Sequence, residues 1–256
     1  MSSMIRPIGL DPFVAEVDEV CENAILYKSY GLHPSNLIVK LDPGYGRSTA
    51  VSYMTDRYEE SGVINFRKCY DRYIDVKFNG DLTQLKDTFA DISAVYSNEY
   101  TNILAMDISS IAKHVGEVHF DELCEYYHKL CENAVTVFFF PFNTSRSEDR
   151  LISRLGELSD RLKLITLKPY TVNDIKDMIL RFINERRISI EDRSIFNKKI
   201  PDLIKLYGAS TPADAIRLTD MLVCHTDFST GVATLRLESV TKVKKHLSFR
   251  TGGIAI

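Results

Sequence analysis

The sequence predicts an α/β fold: a parallel sheet interleaved with helices, followed by a small helical unit. Three observations predict it. Short apolar runs alternate with segments of helical spacing from residue 12 to residue 167, the pattern of strand–helix–strand crossovers in a parallel sheet. One of those runs, residues 37–41, enters a Pro/Gly turn and then a helical segment, the layout in which loop amides and a helix N-terminus cradle phosphate. Strand-like runs then cease after Lys168-Pro169-Tyr170, and the rest of the chain reads as helices alone. The expected division is residues 1–168 and 169–256.

Taken in order, Asp11-Pro12 reads as an N-cap followed by Pro at the first helical position. Phe13, Val17, Val20, Cys21 and Ala24 recur at helical spacing, predicting one helix over 12–30 that Gly31 and Pro34 end. Residues 36–41 read as a buried strand and 48–61 as a helix. Residues 73–78 alternate, with Ile74, Val76 and Phe78 on one face, which predicts a strand. Asp81-Leu82-Thr83-Gln84 has the form of a capping box opening a helix through Ala90. Residues 103–115 admit two readings: a short strand ending in Asp107 followed by a helix, or one helix with Leu104, Ile108, Ile111 and Val115 on one face. The first is favoured. A helix is expected over 120–133, the strongest strand of the chain over 134–142, a helix over 150–161 and a strand over 162–167. In the second unit, Thr171-Val172-Asn173-Asp174 opens a helix carrying Ile175, Met178, Ile179 and Phe182. Others are expected over 195–207, from Thr211-Pro212 with Ala215, Ile216, Thr219 and Leu222, and over 237–247.

Composition sets outer bounds. With 256 residues, 45% hydrophobic and 26% charged, the chain is long enough for one core and a smaller second unit. No apolar run reaches the ~20 residues of a membrane helix, and residues 1–7 lack the apolar stretch of a signal peptide. Cys21, Cys69, Cys124, Cys131 and Cys224 form no C-x-x-C pair, which reads as reduced, buried thiols in a cytoplasmic protein. The formal net charge of −3 supplies no global field that draws the chain to nucleic acid. Lys242, Lys244, Lys245, His246 and Arg250 make the tail locally basic, which reads as a solvated helix end. The histidines are scattered, with His114 and His119 five apart and His128 alone, so a metal site built on them is not expected.

The glycine loop carries the chemistry. The phosphate-loop pattern is G-x-x-x-x-G-K-[ST]. Here Gly46 and Ser48 fit, Leu41 stands at the first glycine, Arg47 stands at the lysine, and Gly44 adds a second flexible position. Glycines let backbone N–H groups turn inward toward phosphate oxygens. Ser48 offers a hydroxyl to Mg²⁺. Arg47 keeps the positive charge but presents a planar fork where the pattern has a compact ammonium. Asp42 brings a carboxylate close to where phosphate would sit. The other reading of the same residues is an ordinary strand–turn–helix corner.

In the order and spacing of all these segments, residues 5–247 resemble an AAA+ ATPase module: a parallel-sheet P-loop NTPase domain followed by a small all-α lid. Ile8-Gly9-Leu10 is similar to the segment lining the adenine pocket of that family. Pro43-Gly44-Tyr45-Gly46-Arg47-Ser48, continuing into Thr49, resembles its P-P-G-x-G-K-[ST]. Met106-Asp107 stands where Walker B would be, and Asn143-Thr144 fits the polar sensor-1 position. Residues 167–171 resemble the crossover into the lid, and residues 208–216 the lid helix that usually offers a sensor-2 arginine. The lid style resembles clamp loaders and helicase loaders more than unfoldases.

The resemblance implies ATP or ADP with Mg²⁺ as cofactors, Ser48 and Asp107 toward the metal, and Asp107, Asn143 and Arg161 in catalytic roles. Arg161 is best placed as the arginine finger that the family offers to a neighbouring subunit, with Arg154 as the alternative; the other reading is a surface arginine on a polar helix face. Three positions depart from the family. Ile108 follows Asp107 where a glutamate would serve as base, unless Glu99 or Glu117 reaches in; Ala213 stands at the sensor-2 position, with Arg217 one turn on; and Arg47 replaces the lysine. The expectation is an ATP-binding AAA+-like protein with weak or absent hydrolysis. It would act as a regulatory or loader subunit in a protein or protein–DNA assembly, through protein partners or self-association and without a membrane. The alternatives are an active ATPase and an interaction scaffold without nucleotide.

Overall fold

In the computed structural model of the chain, the described residues are 6–32, 34–64, 73–76, 103–107, 135–158, 161–228 and 231–251, with single helical positions between 83 and 129. Two compact units result, Met1–Leu167 and Lys168–Ile256. The first contains α1 (Asp11–Glu22), α2 (Ala24–Tyr30), β1 (Asn36–Lys40), α3 (Arg47–Ser61), β2 (Tyr73–Val76), β3 (Ile103–Asp107), β4 (Val135–Phe140), α4 (Arg146–Leu158) and β5 (Leu162–Thr166). The second contains α5 (Val172–Glu185), β6 (Ser189–Ile190), α6 (Arg193–Tyr207), α7 (Pro212–Val223), β7 (Thr234–Leu235) and α8 (Leu237–Thr251).

The five strands of the first unit form one parallel sheet in the order β2-β3-β4-β1-β5. The run Val-Thr-Val-Phe-Phe-Phe of β4 is buried at every position, as expected of a central strand covered on both faces. Each of its three phenylalanines removes enough apolar surface from water to contribute about 1.5–3 kcal/mol. From β1 the chain crosses toward β2, whereas from β4 it crosses over β1 to β5. Right-handed crossovers in opposite directions put α3 and α4 on opposite faces. A crevice therefore opens at the carboxyl ends of β1 and β4, the place where open α/β sheets bind ligands. On one face α1 packs against α3, and Asp18 of α1 accepts hydrogen bonds from Tyr53 Oη (2.8 Å) and Arg57 Nε (2.9 Å) of α3. Lys163 of β5 pairs with the buried Glu16 of α1.

Some elements differ from expectation. The single helix expected over 12–30 is two, broken at Asn23, whose backbone leaves helical geometry at φ −93° and ψ 14°. Asn23 Nδ2 donates to the Glu19 carbonyl at 2.9 Å, a side-chain bond that competes with helix continuation. Helix α4 begins at Arg146, four residues earlier than the apolar pattern suggests. Its start is a capping box: Ser145 N–H donates to Glu148 Oε2 (2.6 Å) and Glu148 N–H to Ser145 Oγ (3.3 Å). Over 103–115, residues Ile103–Asp107 are a strand, and the helix expected beyond lies outside the described residues. Most of the helices expected over 81–90 and 120–133 also lie outside them.

The second unit is helical, with one addition to the all-α expectation: β6 and β7 form a two-residue parallel ladder of their own and, among the described residues, join no strand of the main sheet. Thr171 with Asp174 and Thr211 with Asp214 form full capping boxes on α5 and α7. Among the described cysteines, Cys21 and Cys124 are buried, whereas Cys224 is exposed, a correction to the buried set.

Candidate functional site

The loop between β1 and α3 is shaped by two glycines. Gly44 and Gly46 adopt φ of 85° and 90°, the left-handed region that other residues enter only with strain. Space is not the constraint at Gly44, where a Cβ would meet nothing within 4 Å; backbone conformation is. Gly46 is the N-cap of α3, and no side chain caps that helix. As a glycine, the N-cap offers the first-turn amides no side-chain acceptor of its own, and helix N-terminal amides with the helix dipole favour an anion. Ser48 and Thr49 are exposed on this first turn, Pro43 and Gly44 are exposed in the loop, and Tyr45 is half-buried. The Tyr45 ring stands edge-on to Phe142 at 5.1 Å and 87°.

Two charged residues of the loop are engaged by the chain itself. Asp42 Oδ1 accepts the Phe142 N–H at 2.9 Å, and the Asp42 carbonyl accepts the Tyr45 N–H at 3.1 Å. The carboxylate therefore staples the loop to the exit of β4. Arg47 Nε donates to the Leu41 carbonyl at 2.7 Å, and its guanidinium lies 5.2 Å from the centroid of the Phe139 ring. One fork thus closes the loop from its last residue back to its first while resting on the central strand. Stacking of this kind contributes about 0.5–2 kcal/mol, and a hydrogen bond from a charged donor about 1.5–3 kcal/mol.

Across the sheet, Asp107, Phe139 and Val39 lie at one register level on β3, β4 and β1. The backbone of Asp107 is thus at the carboxyl end of an interior strand. Asn143 is exposed on the turn after β4. Ile8 and Gly9 are half-buried on the turn before α1, with Gly9 at φ 72°. Arg161 is exposed at the amino end of β5, where its carbonyl accepts the Asn36 N–H at 2.8 Å. It stands a strand's length, about 15 Å, from the loop end of the sheet, and so does not belong to its own chain's loop cluster. Arg154 pairs with Glu157 at 3.0 Å. In the second unit Ala213 is exposed on the first turn of α7, and Arg217 lies 4.0 Å from Asp214. Glu99 and Glu117, the candidate replacement bases, lie outside the described residues.

Sequence reasoning missed Lys40. It ends β1, and its Nζ lies 3.3 Å from Thr144 Oγ1 and 3.8 Å from Asp149 Oδ1. Thr144 in turn donates to Asp149 at 2.5 Å. A second cation therefore stands one residue before the loop, beside the residue that follows Asn143. The signal was available: Lys40 is the only charge in the apolar run 37–41. Among the described residues no cluster of His, Cys, Asp and Glu suits a metal ion on its own, and no helix is long and apolar enough to cross a membrane.

No family model matches the chain, and no curated protein matches it. Solved structures do. The chain is similar to the RuvB Holliday junction branch migration motor of Thermotoga maritima, at 19% identity over 93% of this chain and 70% of that one, with a TM-score of 0.57. A threonine-to-valine variant of the same RuvB is similar at 18% identity over the same shares, with a TM-score of 0.59. A lysine-to-arginine variant matches at 19% identity, again over 93% of this chain and 70% of that one, with a TM-score of 0.59. At this identity the likeness shows the fold alone: a parallel α/β sheet domain followed by a small helical unit, as in RuvB.

Proposed function

We propose that this chain is an ATP-binding AAA+ module with weak or absent hydrolysis, acting as a regulatory or loader subunit. The observation that carries the reading is the loop itself. Two left-handed glycines precede an uncapped helix N-terminus at the carboxyl end of a parallel sheet, and such amides supply phosphate affinity without a lysine. The same loop supports weak turnover. Arg47 is held by the Leu41 carbonyl and the Phe139 ring, so its use on a γ-phosphate would require breaking both contacts. Ile108 follows Asp107, which leaves the attacking water without the usual base, an effect of about 10²–10⁴-fold in rate.

The donor types suit Mg²⁺, a hard cation that takes oxygen ligands. Ser48 brings an exposed hydroxyl, and Asp107 a carboxylate at the end of β3. The ion, when bound, neutralises phosphate charge. Ile8 and Gly9 line the adenine side in this reading, and Asn143 senses the terminal phosphate. Arg161, exposed on the far end of the sheet, serves a neighbouring copy. The module works in the cytoplasm, in the manner of a loader subunit. RuvB is described as a branch migration motor at Holliday junctions, and an assembly on DNA is the corresponding setting for this chain.

Calorimetry with ATP and ADP, with and without Mg²⁺, tests binding, and a phosphate-release assay tests turnover. Micromolar binding with turnover far below one per second is expected. No binding at millimolar nucleotide would leave the interaction scaffold as the reading. Several turnovers per second by the isolated chain would make it a working ATPase.

A further inference from the structure

The unit boundary divides the charge as well as the fold. Residues 1–167 carry 17 Lys and Arg against 25 Asp and Glu, and residues 168–256 carry 15 against 10, so the net −3 resolves into −8 and +5. The excess in the second unit is gathered on two helices that pack against each other, α6 and α8. Helix α6 buries Phe196, Ile200, Leu203 and Ile204, and α8 buries Val240, Val243 and Leu247. Outside that seam Lys198, Lys199 and Lys205 are exposed on α6, and Lys242, Lys244 and Lys245 on α8.

Three arginines elsewhere in the unit are engaged: Arg186 with Asp220 at 2.5 Å, Arg236 with Asp227 at 2.8 Å, and Arg217 near Asp214 at 4.0 Å. None of the six lysines has an ion-pair partner among the described residues. Asp202 is the only acid on α6 and Glu238 the only one on α8, and no Asp or Glu follows Glu238 to the end of the sequence.

We propose that the α6–α8 surface of the second unit binds the phosphate backbone of nucleic acid without reading base sequence. A cluster of unpaired like charges repels itself, and surfaces without a partner intersperse the two signs. Lysines on flexible stems follow a line of phosphates without requiring a fixed fork geometry. Duplex DNA presents one charge per about 1.7 Å of axis. Lys198 and Lys205, seven residues apart, share one face of α6, and Lys242 and Lys245 share one face of α8. A lipid surface fits less well, because an interfacial helix inserts an apolar face, and Val240, Val243 and Leu247 of α8 are buried within the unit. An acidic protein fits less well because a stable protein interface has an apolar centre, which a field of lysines does not supply. The proposal is independent of nucleotide binding at the loop.

The test is fluorescence anisotropy of the full chain, without nucleotide, against a labelled duplex of about 25 base pairs and a single strand of the same length, titrated from about 50 to 200 mM salt. Binding is expected to weaken steeply with salt, with a log–log slope of about −0.9 per phosphate neutralised on the duplex. The triple variant Lys242→Gln, Lys244→Gln, Lys245→Gln is expected to bind about 10–100-fold more weakly with a shallower slope. Its melting temperature should match the parent. Lys198→Gln with Lys205→Gln tests the second helix in the same direction and decides the matter if the triple variant fails to fold. Lys28→Gln in the first unit should change nothing. The proposal is overturned if neither probe binds at about 10 μM chain in 50 mM salt, if both multiple variants bind like the parent, or if the chain captures phosphatidylserine vesicles but not nucleic acid.

Discussion

Four basic side chains of the first unit and the lysines on α6 and α8 of the second differ in what they already hold. Arg47 grips the Leu41 carbonyl and lies over Phe139, Lys40 contacts Thr144 and Asp149, and Arg57 and Lys163 pair with Asp18 and Glu16. The six lysines on α6 and α8 hold no acid among the described residues. A cation bound to its own chain fixes local structure, and a ligand must displace that contact to use it. A solvated cation contributes little to stability and meets a partner without rearrangement. The same residue type therefore predicts opposite phenotypes in the two regions: loss of stability in one, loss of partner binding in the other.

The largest test of that contrast is Arg47→Ala against Lys245→Ala. Removing Arg47 deletes a charged hydrogen bond and a cation–π contact, together about 2–5 kcal/mol. Chemical unfolding should show this as an earlier transition of the first unit. Lys245→Ala should fall within about 0.5 kcal/mol of the parent. Arg47→Lys should lie between parent and alanine, since an ammonium keeps the charge but presents no planar fork. Equal stability of Arg47→Ala and parent would mean that the guanidinium is no brace.

A smaller effect is expected at Lys40, which sharpens the comparison because its contacts are looser, at 3.3 and 3.8 Å. Lys40→Met should cost under about 1 kcal/mol in stability. ATP affinity should fall about fivefold, since a positive charge leaves the loop's edge. A stability loss with unchanged affinity would make Lys40 a strut between β1 and α4 and remove it from the binding reading.

How much of the molecule was legible depends on the range of the interactions. The buried strands β1 and β4 and the helix caps at Thr171 and Thr211 are written in local sequence, as apolar runs and as T-x-x-D boxes. Asp107 as a strand end followed from the apolar run ahead of it. The start of α4 was missed because Ser145-Arg146-Ser147-Glu148 carries the cap, whereas apolar spacing begins only at Leu151. The break at Asn23 was missed because Val20, Cys21 and Ala24 keep the helical period through it. The contacts of Arg47 and Lys40 join residues brought together by sheet register: Lys40 and Thr144 are 104 positions apart. No spacing rule sees that. The charge division was legible throughout, but a summed net charge hides it once the chain has two units.

The smallest expected effect concerns an engaged acid in the second unit, where the lysines on α6 and α8 are unengaged. Asp214 accepts hydrogen bonds from Thr211 Oγ1 (2.8 Å), Thr211 N–H (3.0 Å) and Ser210 N–H (3.1 Å) at the start of α7. Burial alone would raise its pKa. The Ser210 N–H, the Thr211 hydroxyl and N–H, and the nearby Arg217 outweigh it and hold the carboxyl below its ordinary value of 3.8. A depressed folded pKa means that the cap's contribution is fully present above the unfolded value and is lost as pH falls through the folded one. The second unit should therefore melt at constant temperature from neutral pH down to about 4 and then lose stability, as far as this carboxyl is concerned. Asp214→Asn should cost about 0.5–1.5 kcal/mol at neutral pH, a shift of about 4 °C for a unit of this size. The variant should converge on the parent once the pH has fallen through the depressed folded pKa, where the parent's own carboxyl is protonated. Thermal melts of both proteins across that range decide it: a gap that stays constant from neutral pH down through that pKa would mean that the cap works through its shape and not through its charge.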